Sequence, residues 1–262
     1  MKKIGIINVS VSNHYREASS QSEIITQGRL GERVEVLDEQ ETHTLIQQVD
    51  NYQSWISEDQ LVTDIEPAKG ENVTVVSHFV RIYSQPTESS SAIRDAVIGS
   101  LLIADDEKDG WLRIALPDGA FGWTEKKHFG VMPEFSAGGI VSLAHDFLGY
   151  PYLWGGISPR GFDCSGLVQT IFKLCGIQLP RDAWQQQQKN LQSTSYLDAQ
   201  PGDLLFFSRT PERVTHVAIS LGDQRYIHAS GWVRIDSFDE NDPLFTRQRA
   251  TTFTSVNRYF PS

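Results

Sequence analysis

Gly161-Phe162-Asp163-Cys164-Ser165-Gly166 is the segment from which the fold of the C-terminal half of this chain can be predicted. Asp163 is a favourable helix N-cap residue. Apolar side chains at helical spacing follow it, and Gly176 provides a helix end. Cys164 is therefore predicted to lie in the first turn of a helix. The free N–H groups and positive dipole end of that turn are expected to lower the pKa of the thiol and favour the thiolate.

The composition excludes several classes of protein. The chain has 262 residues, 39% of them hydrophobic, with a net charge of −10. An acidic chain argues against nucleic acid and anionic membranes, because both attract clustered Lys and Arg. No apolar run approaches the roughly 20 residues of a membrane span, and the N-terminal run is short and broken by polar residues. We expect a cytoplasmic protein with no membrane partner, in which Lys3 to Val11 form a strand.

The two cysteines are too far apart for a disulfide. Cys164 and Cys175 are eleven residues apart in one predicted helix, a rise of about 16 Å. A disulfide needs Cα atoms within about 7 Å. Cys175 is predicted to be a small buried residue, and no Cys/His cluster has the spacing of a zinc site.

Residues 1–130 are predicted to be all-β and internally repeated. Short runs of β-branched and apolar residues alternate with turn residues. An offset of 68 aligns Tyr15 with Tyr83 and Trp55 with Trp123 without a gap. Two small barrels are predicted, at residues 1–66 and 71–131, each followed by a short linker.

Residues 134–262 are predicted to form a third domain of the α+β class. Ser136 caps one helix, a loop follows at residues 150–162, and Asp163 caps the next helix. Residues 180–182 open a short Gln-rich helix whose glutamines are expected on the surface. Antiparallel strands follow, the last of them near residues 251–256. Helices followed by a run of antiparallel strands are typical of an α+β fold.

A β-hairpin brings two histidines together. Residues 216–221 and 225–230 are predicted strands joined at Gly222-Asp223. His216 and His228 then become cross-strand neighbours, whose Cβ atoms lie about 4.5–5.5 Å apart when directly opposite. Packed against the Cys164 helix, the hairpin supplies a base and a residue that orients it. The alternative is that both histidines are ordinary core or surface residues of a hairpin.

Six motifs in the third domain carry a resemblance to a known family. They are Tyr152-Leu153-Trp154-Gly155-Gly156, Arg160-Gly161-Phe162-Asp163-Cys164-Ser165-Gly166-Leu167, Leu179-Pro180-Arg181-Asp182, Pro201-Gly202-Asp203-Leu204-Leu205-Phe206-Phe207, Thr215-His216-Val217-Ala218 and Tyr226-Ile227-His228-Ala229. The domain resembles the NlpC/P60 family of papain-like cysteine peptidases, and the two repeats resemble bacterial SH3-like domains. The layout is similar to that of cytoplasmic γ-D-glutamyl-L-diamino-acid endopeptidases, which recycle murein peptides.

The resemblance implies a role for each catalytic residue. It makes Cys164 the nucleophile, His216 the base and His228 the third member of the set. Tyr152 would help to hold the tetrahedral intermediate, or is simply a packed aromatic residue. Asp163 is either a helix cap alone or also a substrate contact.

The resemblance also implies a substrate and the residues that bind it. Ser165 and Arg181 are candidate donors to the free carboxylate of γ-D-Glu, although Ser165 is equally a plain first-turn residue. Three residues are candidates to bind a free L-Ala amine as hydrogen-bond acceptors. They are Asp182 and, in the first barrel, Glu17 and Tyr52. Glu17 and Tyr52 have the alternative of lying on the barrel surface. Many relatives carry a serine where this chain has Ala183, which puts one donor contact in doubt.

The sequence therefore predicts a cysteine endopeptidase that hydrolyses the γ-D-Glu–diamino-acid bond of murein peptides with a free N-terminal L-Ala. No metal and no organic cofactor is implied. One alternative is an exported hydrolase of intact cell wall, and another is a non-catalytic cell-wall-binding protein. An acyltransferase on a permuted papain-like fold would need a different motif order.

Overall fold

The structure is a computed structural model that describes residues 2–63, 68–188, 191–210 and 213–260. The chain divides into two compact units, Met1–Met132 and Pro133–Ser262. Both predicted barrels therefore belong to one unit. The predicted end of the first barrel at residue 66, and Pro67 of its linker, lie outside the described residues. Every helix in the described part is too short or too polar to cross a membrane.

The first unit begins with a seven-stranded antiparallel sheet. Its strands are β1 (Ile4–Ile7), β2 (Val11–Tyr15), β3 (Ile24–Arg29), β4 (Arg33–Glu39), β5 (His43–Gln47), β6 (Gln53–Ser57) and β7 (Leu61–Thr63). The prediction of one strand from Lys3 to Val11 is wrong, because the chain leaves β1 after Ile7 and bends before it enters β2. The polar residues Asn8 and Ser10 lie at this break.

The second sheet repeats the first. Its strands are β8 (Glu71–Thr74), β9 (Phe79–Tyr83), β10 (Ala92–Val97), β11 (Leu101–Lys108), β12 (Trp111–Ala115) and β13 (Phe121–Glu125). The order β3-β2-β6-β5-β4-β1 recurs as β10-β9-β13-β12-β11-β8. β2, β3, β5 and β6 coincide with β9, β10, β12 and β13 at an offset of 68 residues. The repeat predicted from the aligned tyrosines and tryptophans is confirmed.

The second unit is α+β, as the sequence predicts. Its elements are α1 (Ala137–Asp146), β14 (Ile157–Ser158), β15 (Gly161–Phe162), α2 (Cys164–Leu174), α3 (Ala183–Gln187), β16 (Leu191–Ser193), β17 (Leu204–Phe207), β18 (His216–Gly222), β19 (Arg225–Ser230), β20 (Trp232–Ser237), α4 (Arg247–Thr252) and β21 (Phe253–Asn257). The sheet runs β16-β21-β17-β18-β19-β20. Helix α2 packs against β18 and β19, which places its N-terminus beside the hairpin.

Three local expectations in this unit are wrong. The segment before α2 contains the short hairpin β14–β15 rather than an open loop. Residues 251–252 end helix α4, so the last strand starts later than predicted. Gln186 of the Gln-rich helix is fully buried, and its amide donates to the carbonyl oxygens of Ser165 and Pro180. Gln186 therefore ties α3 to the first turn of α2.

Candidate active site

Cys164 begins helix α2, as predicted. The Asp163 carboxylate caps the helix by accepting the Gly166 N–H at 2.6 Å. The thiol is buried and accepts backbone hydrogen bonds from Val217 and Ser165. Val217 directly follows His216 in β18, so the Cys164 thiol lies next to the part of the strand that carries His216.

Two glycines make this placement possible. A Cβ atom at Gly166 would overlap the carbonyl oxygen of Gly156, and one at Gly156 would overlap the carbonyl oxygen of Gly161. The first turn of α2 therefore packs directly on the backbone of the Trp154-Gly155-Gly156 loop. Gly155 donates its N–H to Asp163 at 2.9 Å, so the same carboxylate fixes both the loop and the helix start.

The prediction of a resting thiolate at Cys164 is wrong. Burial is the main cause, and the neighbouring Asp163 charge adds to it; together they raise the pKa of the Cys164 thiol from 9.0 to about 11. That rise favours the neutral thiol by about 3 kcal/mol. A helix N-terminus supplies typically only about 0.3–1 kcal/mol in the other direction. The thiol is therefore protonated at rest and needs a base.

Asp163, Arg181 and Ser165 form one buried network beneath the nucleophile. The Arg181 guanidinium donates to both carboxylate oxygens of Asp163, at 3.1 and 2.5 Å, and to Ser165 Oγ at 2.9 Å. Arg181 is only 2% exposed. These donors already bind the motif that positions Cys164, so the geometry favours a positioning role for Arg181. Its predicted contact with a substrate carboxylate stays a prediction, as do the substrate contacts of Asp163 and Ser165.

The two histidines meet as the hairpin predicts. Ile219 pairs with Ile227 across β18 and β19, which makes His216 and His228 diagonal neighbours rather than a directly opposite pair. The turn tip is Asp223-Gln224, one residue later than predicted. His216 Nε2 lies 2.7 Å from His228 Nδ1. Both rings are buried, and burial is the main reason that the pKa of each histidine falls below 6.5.

Asp236 on β20 completes the set, and the sequence reasoning missed it. Its Oδ2 lies 3.0 Å from His228 Nε2, and Arg234 pairs with the same carboxylate. The pKa of Asp236 is lowered to about 2: burial opposes the shift, and the hydrogen bond and charge of His228 produce it, with Arg234 contributing. Asp236 is therefore ionised at neutral pH.

An ionised Asp236 fixes the tautomer of both rings. A carboxylate only accepts, so His228 carries its hydrogen on Nε2 and its Nδ1 accepts. His216 Nε2 must then donate to His228 Nδ1. This leaves His216 Nδ1 without a hydrogen and able to take the thiol proton of Cys164.

Asp236→Asn is expected to lower kcat by about 10²-fold or more, because an amide can donate to His228 Nε2 and reverse both tautomers. The loss should be uniform between pH 6 and 9, since wild-type Asp236 stays ionised down to about pH 2. On the acid side, wild-type kcat/KM should decline only below pH 6.5. Burial lowers the pKa of His216, and protonation of that ring removes the base. A pH profile of kcat/KM measures both effects.

Asp242→Asn is the matched control for this substitution. Asp242 pairs with Arg225 instead of a histidine, so its loss should leave kcat near the wild-type value. Equal activity of Asp236→Asn and Asp242→Asn would contradict the proposed orientation of the two rings.

Tyr152 lies beside the nucleophile. Burial is the main cause that raises the pKa of its hydroxyl, and the charge of Cys164 is the second. The phenol therefore stays protonated and can donate. No residue in the described part of the chain forms a hydrogen bond with this hydroxyl, so the predicted contact with a tetrahedral intermediate is chemically feasible.

The remaining predicted residues belong to the two different units of the chain. Asp182 Oδ2 accepts from Trp184 Nε1 at 3.1 Å and lies 3.8 Å from an Arg213 nitrogen. Glu17 and Tyr52 belong to the first unit, where Glu17 is exposed and Tyr52 half-buried. The binding of an amine by these three residues stays a prediction.

A protonated thiol at a helix start, two hydrogen-bonded histidines and a buried carboxylate define a cysteine hydrolase with an antiparallel sheet. Comparison with known proteins identifies the family. Residues 149–249 match the model of the NlpC/P60 family, and residues 14–61 match that of the bacterial dipeptidyl-peptidase SH3 domain. Residues 149–249 are therefore an NlpC/P60 domain, the domain of a family of cysteine peptidases.

Two relatives match along most of the chain. A γ-D-glutamyl-L-lysine dipeptidyl-peptidase of Bacillus cereus is 29% identical over 90% of this chain and 75% of its own length. Dipeptidyl-peptidase 6 of Lysinibacillus sphaericus is 29% identical over 97% of this chain and 99% of its own length. A crystal structure of an NlpC/P60 family protein from Bacillus cereus has a TM-score of 0.81, with 23% identity over 98% of this chain and 100% of that chain, which shows the same fold.

Proposed function

We propose that this peptidase hydrolyses the bond between γ-D-glutamate and a diamino acid in short murein peptides that carry a free N-terminal L-alanine. The observation that carries the proposal is the hydrogen-bonded set His216, His228 and Asp236, together with the Cys164 thiol that accepts from the backbone of Val217, the neighbour of His216. The similarity to a protein named γ-D-glutamyl-L-lysine dipeptidyl-peptidase supports the choice of bond. A cytoplasmic role in recycling such peptides is part of the proposal.

Acylation starts from a neutral pair. The Cys164 sulfur attacks the γ-carbonyl carbon while His216 Nδ1 takes the thiol proton. The positive charge on His216 is stabilised through His228 by the Asp236 carboxylate. The Tyr152 hydroxyl donates to the oxyanion of the tetrahedral intermediate.

The remaining steps return the enzyme to its starting state. His216 gives its proton to the leaving amine of the diamino acid, the C–N bond breaks and a thioester forms on Cys164. Water then loses a proton to His216 and attacks the thioester carbonyl. The thiolate leaves and recovers the proton, releasing L-Ala-D-Glu.

Three substrates test the proposal: free L-Ala-γ-D-Glu-L-Lys, its N-acetylated form, and intact sacculi. Wild-type enzyme should cleave the free tripeptide, and Cys164→Ala should not. Acetylation removes the positive charge of the amine and should lower kcat/KM by about 10-fold or more. Diaminopimelate in place of lysine identifies the preferred diamino acid.

Each alternative predicts a different result. Equal cleavage of the acetylated peptide would show that no site for the free amine exists. Release of fragments from sacculi would favour an exported cell-wall hydrolase. An enzyme that turns over none of the three would be a binding protein.

A further inference from the structure

Arg249 is a cation in the catalytic cleft that the proposed mechanism leaves unused. It lies in α4, the helix that follows β20 in the sequence and precedes the final strand β21. Its side chain is half-buried. Its Nη2 donates to Ser230 Oγ at 3.3 Å, and its guanidinium carbon lies 5.7 Å from the centre of the Phe207 ring. Phe207 is the β17 partner of His216 on β18, and the two ring centres lie 5.7 Å apart, so Arg249 packs on the direct neighbour of the base.

The charge of Arg249 acts on the reacting groups themselves. It interacts electrostatically with Cys164, Asp236 and His216. Its guanidinium nevertheless pairs with no carboxylate in the part of the chain that the structure describes. By contrast, the buried Arg181 and the half-buried Arg258 each donate to a carboxylate within the same unit.

A half-buried arginine without an acidic partner is costly unless a ligand supplies the charge. Part of the hydration of Arg249 is lost on burial, which lowers its pKa. Arg209 and Arg234 also act on His216, and of these two Arg234 is paired with Asp236. In a chain with a net charge of −10, this local excess of arginine favours an anionic substrate.

We infer that Arg249 binds a carboxylate of the substrate beside the scissile bond. This inference rests on the proposed function, in which two carboxylates flank that bond. One is the α-carboxylate of γ-D-Glu, on the acyl side, and the other is the carboxylate of the diamino acid, on the leaving side. A guanidinium binds either of them through charge-assisted hydrogen bonds. Arg181, the candidate suggested by the sequence, already donates to Asp163 and Ser165.

Three tripeptides separate the two carboxylates. They are L-Ala-γ-D-Glu-L-Lys, the same peptide with the glutamyl α-carboxylate amidated, and the same peptide with the lysyl carboxylate amidated. Wild-type enzyme should lose about 10- to 100-fold in kcat/KM on the peptide that lacks the recognised carboxylate. Arg249→Gln should cleave that amide and its parent at similar rates, and Arg249→Lys should restore part of the preference.

A matched control uses the other arginine at the start of the same helix. Arg247 is exposed, so Arg247→Gln should keep the wild-type preference. An equal loss on all three peptides in Arg249→Gln would indicate a structural role only, and would overturn the inference. Failure of the wild type to cleave even the unmodified peptide would instead count against the proposed function.

A second measurement tests Arg249 without any peptide. Iodoacetate carries a carboxylate beside its reacting carbon, whereas iodoacetamide is neutral. The ratio of their alkylation rates at Cys164, located by mass spectrometry, should fall about 10-fold in Arg249→Gln and stay unchanged in Arg247→Gln. An unchanged ratio in Arg249→Gln would overturn the inference whatever the natural substrate is.

Discussion

Cys164→Ala is expected to lower kcat by a factor on the order of 10⁴ to 10⁶ and to leave the fold intact. In the proposed mechanism the Cys164 thiol forms the acyl-enzyme. Alanine is a good helix former at the start of α2, and the Asp163 cap and its contact with Arg181 do not involve the thiol. Hydrolysis of the free tripeptide, followed by chromatography, measures the loss.

The second cysteine provides the control. Cys175 is buried at the C-terminal end of α2, and both thiols are free. Cys175→Ala removes the same atoms from the other end of the same helix, so it should keep kcat within about threefold of wild type.

His216→Ala should lose about as much activity as Cys164→Ala. The double variant should be no worse than either, because residues that act as a unit are not additive. Residual turnover in Cys164→Ala near the wild-type rate would exclude Cys164 as the nucleophile.

Features encoded by neighbouring residues could be predicted from the sequence. The helix start at Asp163 follows from a capping side chain before an apolar helical pattern. The His216/His228 contact follows from two strands joined by a tight turn, since hairpin register places the side chains. The repeat in the first unit needs only an ungapped offset, and four strand pairs coincide with it.

Features created by tertiary packing could not be predicted. Asp236 reaches His228 because β20 pairs with β19 in a register that puts Arg234 opposite His228. A strand following Gly231, with polar residues at alternate positions, was a usable signal for that carboxylate. Gln186 and Arg249 offered no such signal, because their contacts with Ser165 and Ser230 join residues that are distant in sequence.

The direction in which the pKa of the Cys164 thiol shifts is a second feature that the sequence could not predict. A helix N-terminus is visible in the sequence, but the depth at which the thiol is buried is not. Burial is the larger effect here. The same reasoning applies to Arg181, which the sequence suggests as a donor to the substrate and whose guanidinium is buried against Asp163 and Ser165.

Arg181→Met is expected to lower the free energy of unfolding of the second unit by about 3–5 kcal/mol. Removal of one partner of a buried ion pair leaves the other charge uncompensated. Asp163 would then be a buried carboxylate that keeps only uncharged donors: the backbone N–H groups of Gly155 and Gly166 and the Ser165 hydroxyl. The melting temperature should fall by roughly 10 °C or more, measured by circular dichroism together with urea unfolding. Arg160→Met is the control, because Arg160 is an exposed arginine of the same motif.

The double variant Asp163→Asn/Arg181→Met separates the cost of the buried charge from the cost of lost packing. Asparagine is as good an N-cap as aspartate and carries no charge. If the uncompensated carboxylate causes the instability, the double variant should be more stable than Arg181→Met alone, with a coupling energy of about 0.5–3 kcal/mol. If instead the two losses add, the ion pair contributes little, and Arg181 would act mainly by filling space.

Kinetics distinguish a third case. A folded Arg181→Met enzyme with normal kcat but a raised KM for the free tripeptide would return Arg181 to the role of a substrate contact. The buried fork of Arg181 on Asp163 leads us to expect the first result, with kcat falling together with stability, because the carboxylate that Arg181 holds is the one that fixes the helix start under Cys164.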